Sequence, residues 1–119
     1  MKVKSIRPFI GAKNYLESIQ FYLDIGFKEL KTSPKLSYFY FENFGFYLQD
    51  YNAKEWIENT MIFLEVVNLE KVYDDFKNLN LIEKYPNSKL KPIVKNEWGQ
   101  EFFLHDPSNI LWHIGEFKN

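Results

Sequence analysis

The chain has 119 residues, 45% of them apolar, and a formal net charge of -1, which is one domain's length with material for a core and without the basic face nucleic-acid binding needs. It has no cysteine, which excludes disulfides, zinc–thiolate centres and thiol catalysis and agrees with a reducing, cytoplasmic setting. No uncharged apolar run reaches the roughly 18 residues of a membrane span, and the first residues carry no signal-peptide pattern.

In chain order, residues 3–10 (VKSIRPFI) read as a strand. Asn14 is placed as an N-cap, with Glu17 three positions on as in a capping box. Tyr15, Leu16, Ile19, Tyr22 and Leu23 recur at helical spacing, and Gly26 is the expected helix stop. Strands are expected at 27–32, 36–42 and 45–51, with turns at Ser33-Pro34 and Glu42-Asn43. The polar segment 52–59 (NAKEWIEN) reads as a connector. The order then repeats. TMIFLEVV (60–67) is a strand, and Asn68 caps a helix with Leu69, Val72, Tyr73, Phe76 and Leu79 on one stripe. Pro86-Asn87-Ser88 marks a loop. Strands follow at 91–95, 100–105 and 110–116, the last two joined by the turn Asp106-Pro107-Ser108-Asn109.

This is one strand–helix–strand–strand–strand unit written twice, with half-units at about 1–51 and 60–119. The caps Asn14 and Asn68 are 54 positions apart, and the same offset carries Arg7 onto Met61. Allowing for a longer final hairpin turn, Gln49 falls on His113.

Two stretches carry a family resemblance. Phe9-Ile10-Gly11-Ala12-Lys13 leading to Ser18-Ile19-Gln20-Phe21-Tyr22-Leu23-Asp24-Ile25-Gly26-Phe27 resembles the opening motif of the vicinal-oxygen-chelate (glyoxalase/bleomycin resistance/dioxygenase) superfamily. Phe102-Phe103-Leu104-His105-Asp106-Pro107-Ser108-Asn109-Ile110-Leu111-Trp112 is similar to its closing hairpin. The resemblance covers nearly the whole chain. It implies an α+β fold in which two βαβββ modules form a cupped mixed sheet, and a homodimer in which each chain completes the other's cup. Its members include glyoxalase I, extradiol dioxygenases, fosfomycin-resistance enzymes and bleomycin-binding proteins.

Alternation along the strands separates a helix-covered face from the cup. Ile6, Pro8, Ile10, Phe46, Leu48, Ile62, Leu64, Val66, Trp112 and Ile114 are assigned to the helix side. Arg7, Phe9, Tyr47, Gln49, Met61, Phe63, Glu65, Leu111 and His113 are left for the cup. Rings mixed with isolated polar groups suit a ligand cavity better than a sealed core. Tyr51, Phe39 and Phe41 are further candidate ring walls.

The resemblance places metal ligands at Arg7, Gln49, Met61 and His113. Arg7 carries donors and a fixed charge, Met61 a soft thioether, and Gln49 a weak neutral oxygen. His113 alone is a good ligand, so no metal, no cofactor and no catalytic residue is expected. Ser108 lies in a tight turn without an imidazole partner, and His113 with Glu65 is the remaining acid–base pairing. The reading that follows is a metal-free cup of the bleomycin-resistance kind for an aromatic or anionic small molecule, with Arg7 receiving the anion. The alternatives are a metal-dependent lyase, isomerase or dioxygenase of the same superfamily, and a non-catalytic dimerisation module. Neither nucleic acid nor membrane is an expected partner.

Overall fold

The computed structural model describes residues 1–119. Its elements are β1 (Phe9–Gly11), α1 (Tyr15–Asp24), β2 (Lys28–Ser33), β3 (Leu36–Phe41), β4 (Phe44–Gln49), α2 (Lys54–Glu58), β5 (Met61–Glu65), α3 (Leu69–Asn78), α4 (Leu81–Lys84), β6 (Lys89–Leu90), β7 (Val94–Lys95), β8 (Gly99–His105) and β9 (Leu111–Phe117). No helix is long and apolar enough to cross a membrane.

Local chemistry sets the helix ends. Asn14 Oδ1 accepts the Glu17 N–H at 3.1 Å at the start of α1. At its end Gly26 adopts φ +114°, so the N–H of Phe27 reaches the Tyr22 carbonyl and that of Gly26 the Leu23 carbonyl, the paired bonds of a Schellman stop. Asn68 caps α3 at φ +60°. From the last strand, the Glu116 carboxylate accepts the N–H groups of Leu69 and Asn68. Those two bonds hold its carboxyl below the usual range, as a carboxylate at a helix N-terminus should be.

The strands form two mixed sheets, ordered β1-β4-β3-β2 and β5-β9-β8-β6, with β7 also on β8. In each, the leading strand runs parallel to the last: β1 on β4 and β5 on β9. The inner faces share one core, in which Ile10, Phe39, Phe46 and Leu48 of the first sheet meet Phe102, Leu104, Trp112 and Ile114 of the second. Trp112 touches Tyr22, Phe27 and Phe46 edge-on or tilted.

A buried polar knot ties the halves. Asp106 accepts from the Tyr22 hydroxyl (2.6 Å) and the backbone N–H of Ser108 and Ile110 (2.8 and 2.9 Å), while Trp112 Nε1–H donates to the Tyr22 oxygen. The turn expected at 106–109 therefore also anchors α1. Burial pushes the Asp106 carboxyl up to about 6, against the hydrogen bonds that favour its charge. Burial and the neighbouring carboxylate likewise hold the Tyr22 hydroxyl well above its ordinary value.

Several expectations change. The first strand begins at Phe9 rather than residue 3, because Pro8 offers the sheet a carbonyl, taken by the Tyr47 N–H, and no donor. Ile6, assigned to the helix side, is 90% exposed. On α1 Leu16 is 72% exposed, while Ser18 and Phe21 are buried; Ser18 fits inside because its hydroxyl meets that of Ser108 at 3.4 Å. The connector 52–59 carries α2, whose Ile57 is fully buried. Of the strand expected at 91–95 only β7 (Val94–Lys95) forms, and the short β6 (Lys89–Leu90) precedes it.

Candidate functional site

The outer faces of the two sheets carry the candidate residues. On the first, Phe9 and Tyr47 are register partners and their rings stack at 4.8 Å. Tyr47 in turn faces Tyr38 across β3 and β4. Arg7 lies over this platform, its guanidinium 4.1 Å from the Tyr38 ring centre and donating to the Tyr47 hydroxyl at 2.9 Å. That bond raises its pKa further, and the stacking is the cation–π arrangement arginine favours. Gly45 makes room for the Tyr38 ring, since a Cβ there would stand 2.7 Å from it.

The second face repeats the device. Phe63 and His113 are register partners with stacked rings, Phe103 meets His113 edge-on, and Trp98 and Phe117 close round Phe63. Gly115 leaves space for the Phe63 ring, 2.6 Å from where a Cβ would lie. His113 Nδ1 is 2.9 Å from Glu101 Oε1, and Glu101 Oε2 accepts from Asn96 Nδ2 at 3.1 Å. On the same face His105 has its Nδ1 buried without a partner. Burial, helped by Lys89 and Lys91, pushes that imidazole below its ordinary value.

The expected residues thus divide. Arg7, Phe9 and Tyr47 are in mutual contact on the first face, with Gln49 further along the strand opposite Gly11. Phe63 and His113 are together on the second; Met61 and Leu111 form the adjoining register pair, and Glu65 lies opposite Gly115. The contacts within each set do not bridge to the other, and both are open to solvent, Phe9 at 49% and Phe63 at 44% exposure. An apolar cleft of about 410 Å³ runs between the sheets, lined in part by Ile6, Pro8, Phe41, Phe44, Ile62 and Leu64.

Three details depart from the sequence reading. Register makes Tyr47, not Gln49, the counterpart of His113, because Phe9 pairs with Tyr47 as Phe63 pairs with His113. Phe39 is fully buried and Phe41 packs on Phe27, so neither is a wall of the outer face. The carboxylate at His113 is Glu101, not Glu65. Strand parity held a signal for it, since Glu101 and Phe103 share a face of β8, and Phe103 opposes His113. Tyr38 and Tyr40, also unassigned from sequence, stack on each other on the first face.

No protein-family model and no curated protein sequence matches the chain. Solved structures do. The bleomycin-binding protein of bleomycin-producing Streptomyces verticillus, complexed with copper(II)-bleomycin, aligns over 99% of both chains with a TM-score of 0.83 at 15% identity. This is the glyoxalase/bleomycin-resistance fold. The bleomycin resistance determinant of transposon Tn5 gives 0.82 at 15% identity, covering 98% of this chain and 100% of that one. The fosfomycin resistance protein FosX of Listeria monocytogenes gives 0.75 at 13%, over 99% and 94%. The α+β class and the paired-module fold read from sequence agree with these neighbours.

The fold also carries metal-dependent enzymes, and the donors here do not fit a divalent ion. No three His, Asp or Glu side chains converge as a metal group. Arg7 is held by two tyrosines, and one His113 nitrogen is engaged by Glu101. Catalytic sites of this kind need about three oxygen or imidazole ligands, which these residues do not supply.

Proposed function

We propose that the protein binds a planar, aromatic or anionic small molecule, without a metal and without turnover, in a cup made by the first face of one copy and the second face of another. The observation that carries this is the pair of ring platforms on the solvent side of the sheets. A sheet face serving stability alone would bury such rings; here Phe9 and Phe63 stay half-exposed. Isolated polar groups among rings are the usual make-up of a ligand site.

Each face is half a cup, and the surface area supports pairing. The accessible area is 7879 Å², against roughly 6,800 Å² for a compact monomer of this mass. A standard interface takes about 800 Å² per partner. Arg7 presents its remaining N–H edges beside two ring faces, a combination that receives carboxylate, sulfonate or phosphate on an aromatic frame. Bleomycin, present in the complexes of two similar proteins, belongs in any ligand panel, although Arg7 disfavours a cationic drug.

Sedimentation and titration with 1-anilinonaphthalene-8-sulfonate test the reading together. A dimer that binds the probe, with Arg7→Ala weakening it about tenfold, is the expected result. Stoichiometric metal retained through purification overturns the metal-free part. A dimer that binds no member of an aromatic-anion panel leaves the dimerisation module as the better reading.

A further inference from the structure

The geometry points to a proton-accepting anchor on the second face: we propose that Glu101 orients His113 so that its Nε2 takes the proton of a ligand's acidic O–H or N–H. The ligand class is then a planar aromatic bearing such a group, a phenol or an imide, bound as its anion. This rests on the ligand-cup reading above and narrows it.

The arrangement is a chain of fixed contacts. Asn96 holds one oxygen of Glu101, and the other meets Nδ1 of His113. The Glu101 side chain is 13% exposed and that of His113 26% exposed, so the pair is sheltered yet reachable. An ionised carboxylate only accepts, so Nδ1 must carry the hydrogen. In the neutral imidazole Nε2 is then the free lone pair. It has no partner within the chain and is not buried. Phe63 stacks on the imidazole and Phe103 meets it edge-on, at ring-centre distances of 6.4 and 5.0 Å, which fixes the ring plane. Structure alone makes no demand for this carboxylate: β8 and β9 are fully laddered by backbone bonds from Gly99 to His105.

The step balances within the site. The ligand O–H bond breaks, its electron pair stays on the ligand oxygen, and a bond forms from Nε2 to the proton. The resulting imidazolium keeps its Nδ1–H on Glu101, whose charge offsets it, so nothing else need enter. Carboxylate-oriented imidazoles act as bases in this way elsewhere. Glu101 is the positioning residue; His113 is the group that meets the ligand. Glu65 lies beyond Gly115 from His113 along the ladder and is not needed.

The test uses the whole protein, with 4-nitrophenol and its methyl ether 4-nitroanisole as probes. Imidazole nitrogen NMR should show hydrogen on Nδ1 and a bare Nε2 at His113, the reverse of the common solution tautomer. At about pH 6, where free 4-nitrophenol is largely neutral, the bound probe should show the phenolate absorbance band. Glu101→Gln should mix the tautomers, lose the band and weaken 4-nitrophenol about tenfold, leaving 4-nitroanisole within about twofold. Asn96→Ala, a milder change at the far end of the chain, should move both readouts in the same direction, so the outcome does not hang on one variant's folding. Equal binding of the two probes, or an Nε2–H tautomer in the parent protein, overturns the anchor and leaves the cup reading standing. Failure of both probes, and of the aromatic-anion panel, overturns both.

Discussion

Asp106 makes the protein's stability depend on pH in a direction opposite to most carboxylates. Its side chain is fully buried, and burial lifts its pKa from 3.8 to about 6 despite three hydrogen bonds to its oxygens. The folded state therefore holds this proton more tightly than the unfolded chain. Between about pH 4 and 6 the native form carries more protons than the unfolded one, so stability falls as pH rises through that window. The full difference is about 3 kcal/mol, from roughly two pKa units at 1.36 kcal/mol each. It is present below pH 4 and lost above about pH 6. Asp106→Asn removes the titration and keeps an oxygen for the Ser108 and Ile110 N–H groups. Urea unfolding of both proteins from about pH 4.5 to 7.5 isolates the effect, because every other carboxylate cancels in the difference. The parent should lose about 2 kcal/mol relative to the variant across that range, the rest of the difference lying below pH 4.5. A flat difference would refute the argument, and would mean that the three donors compensate the carboxylate fully for its loss of water.

Other outcomes follow from single contacts. Gly115→Ala should drive the Phe63 ring off β9, since the new methyl would stand 2.6 Å from it; overpacking of this kind costs about 1–3 kcal/mol, and aromatic-probe affinity should fall with the melting temperature. Asn14→Ala removes the acceptor for the Glu17 N–H and should cost about 1 kcal/mol in a denaturant titration, with ligand affinity unchanged. Gly26→Ala forces a side chain into φ +114° and should lower the unfolding midpoint by an amount similar to or greater than the cap loss.

Much of this molecule is local chemistry that sequence displays. Asn14 and Gly26 bracket α1 because a side-chain oxygen and a left-handed residue are what helix ends require. The alternation of Phe46, Leu48, Ile62, Leu64, Trp112 and Ile114 against Tyr47, Phe63 and His113 marks the two faces because successive strand residues point to opposite sides. The element order, repeated, implies paired βαβββ units, and the comparisons bear out the fold. What stayed illegible depends on pairing. Whether Gln49 or Tyr47 answers His113 is a matter of register, and register is set by how β1 meets β4 and β5 meets β9, contacts between segments some forty to fifty residues apart. Glu65 and Glu101 face the same side, and which one reaches His113 depends on the diagonal across β8 and β9. The inward turn of Ser18 depends on a second hydroxyl from Ser108 at the far end of the chain.

By itself, then, the sequence determined the class of fold, the helix ends, the two-faced strands and the absence of thiol chemistry, since each follows from a residue and its near neighbours. Tertiary structure alone decided which polar groups touch: Arg7 on Tyr38 and Tyr47, Glu101 on His113, Asp106 beneath Tyr22. The physical reason is that a hydrogen bond or ring contact needs its partners within a few ångströms, and no local pattern sets the distance between residues that far apart in the chain.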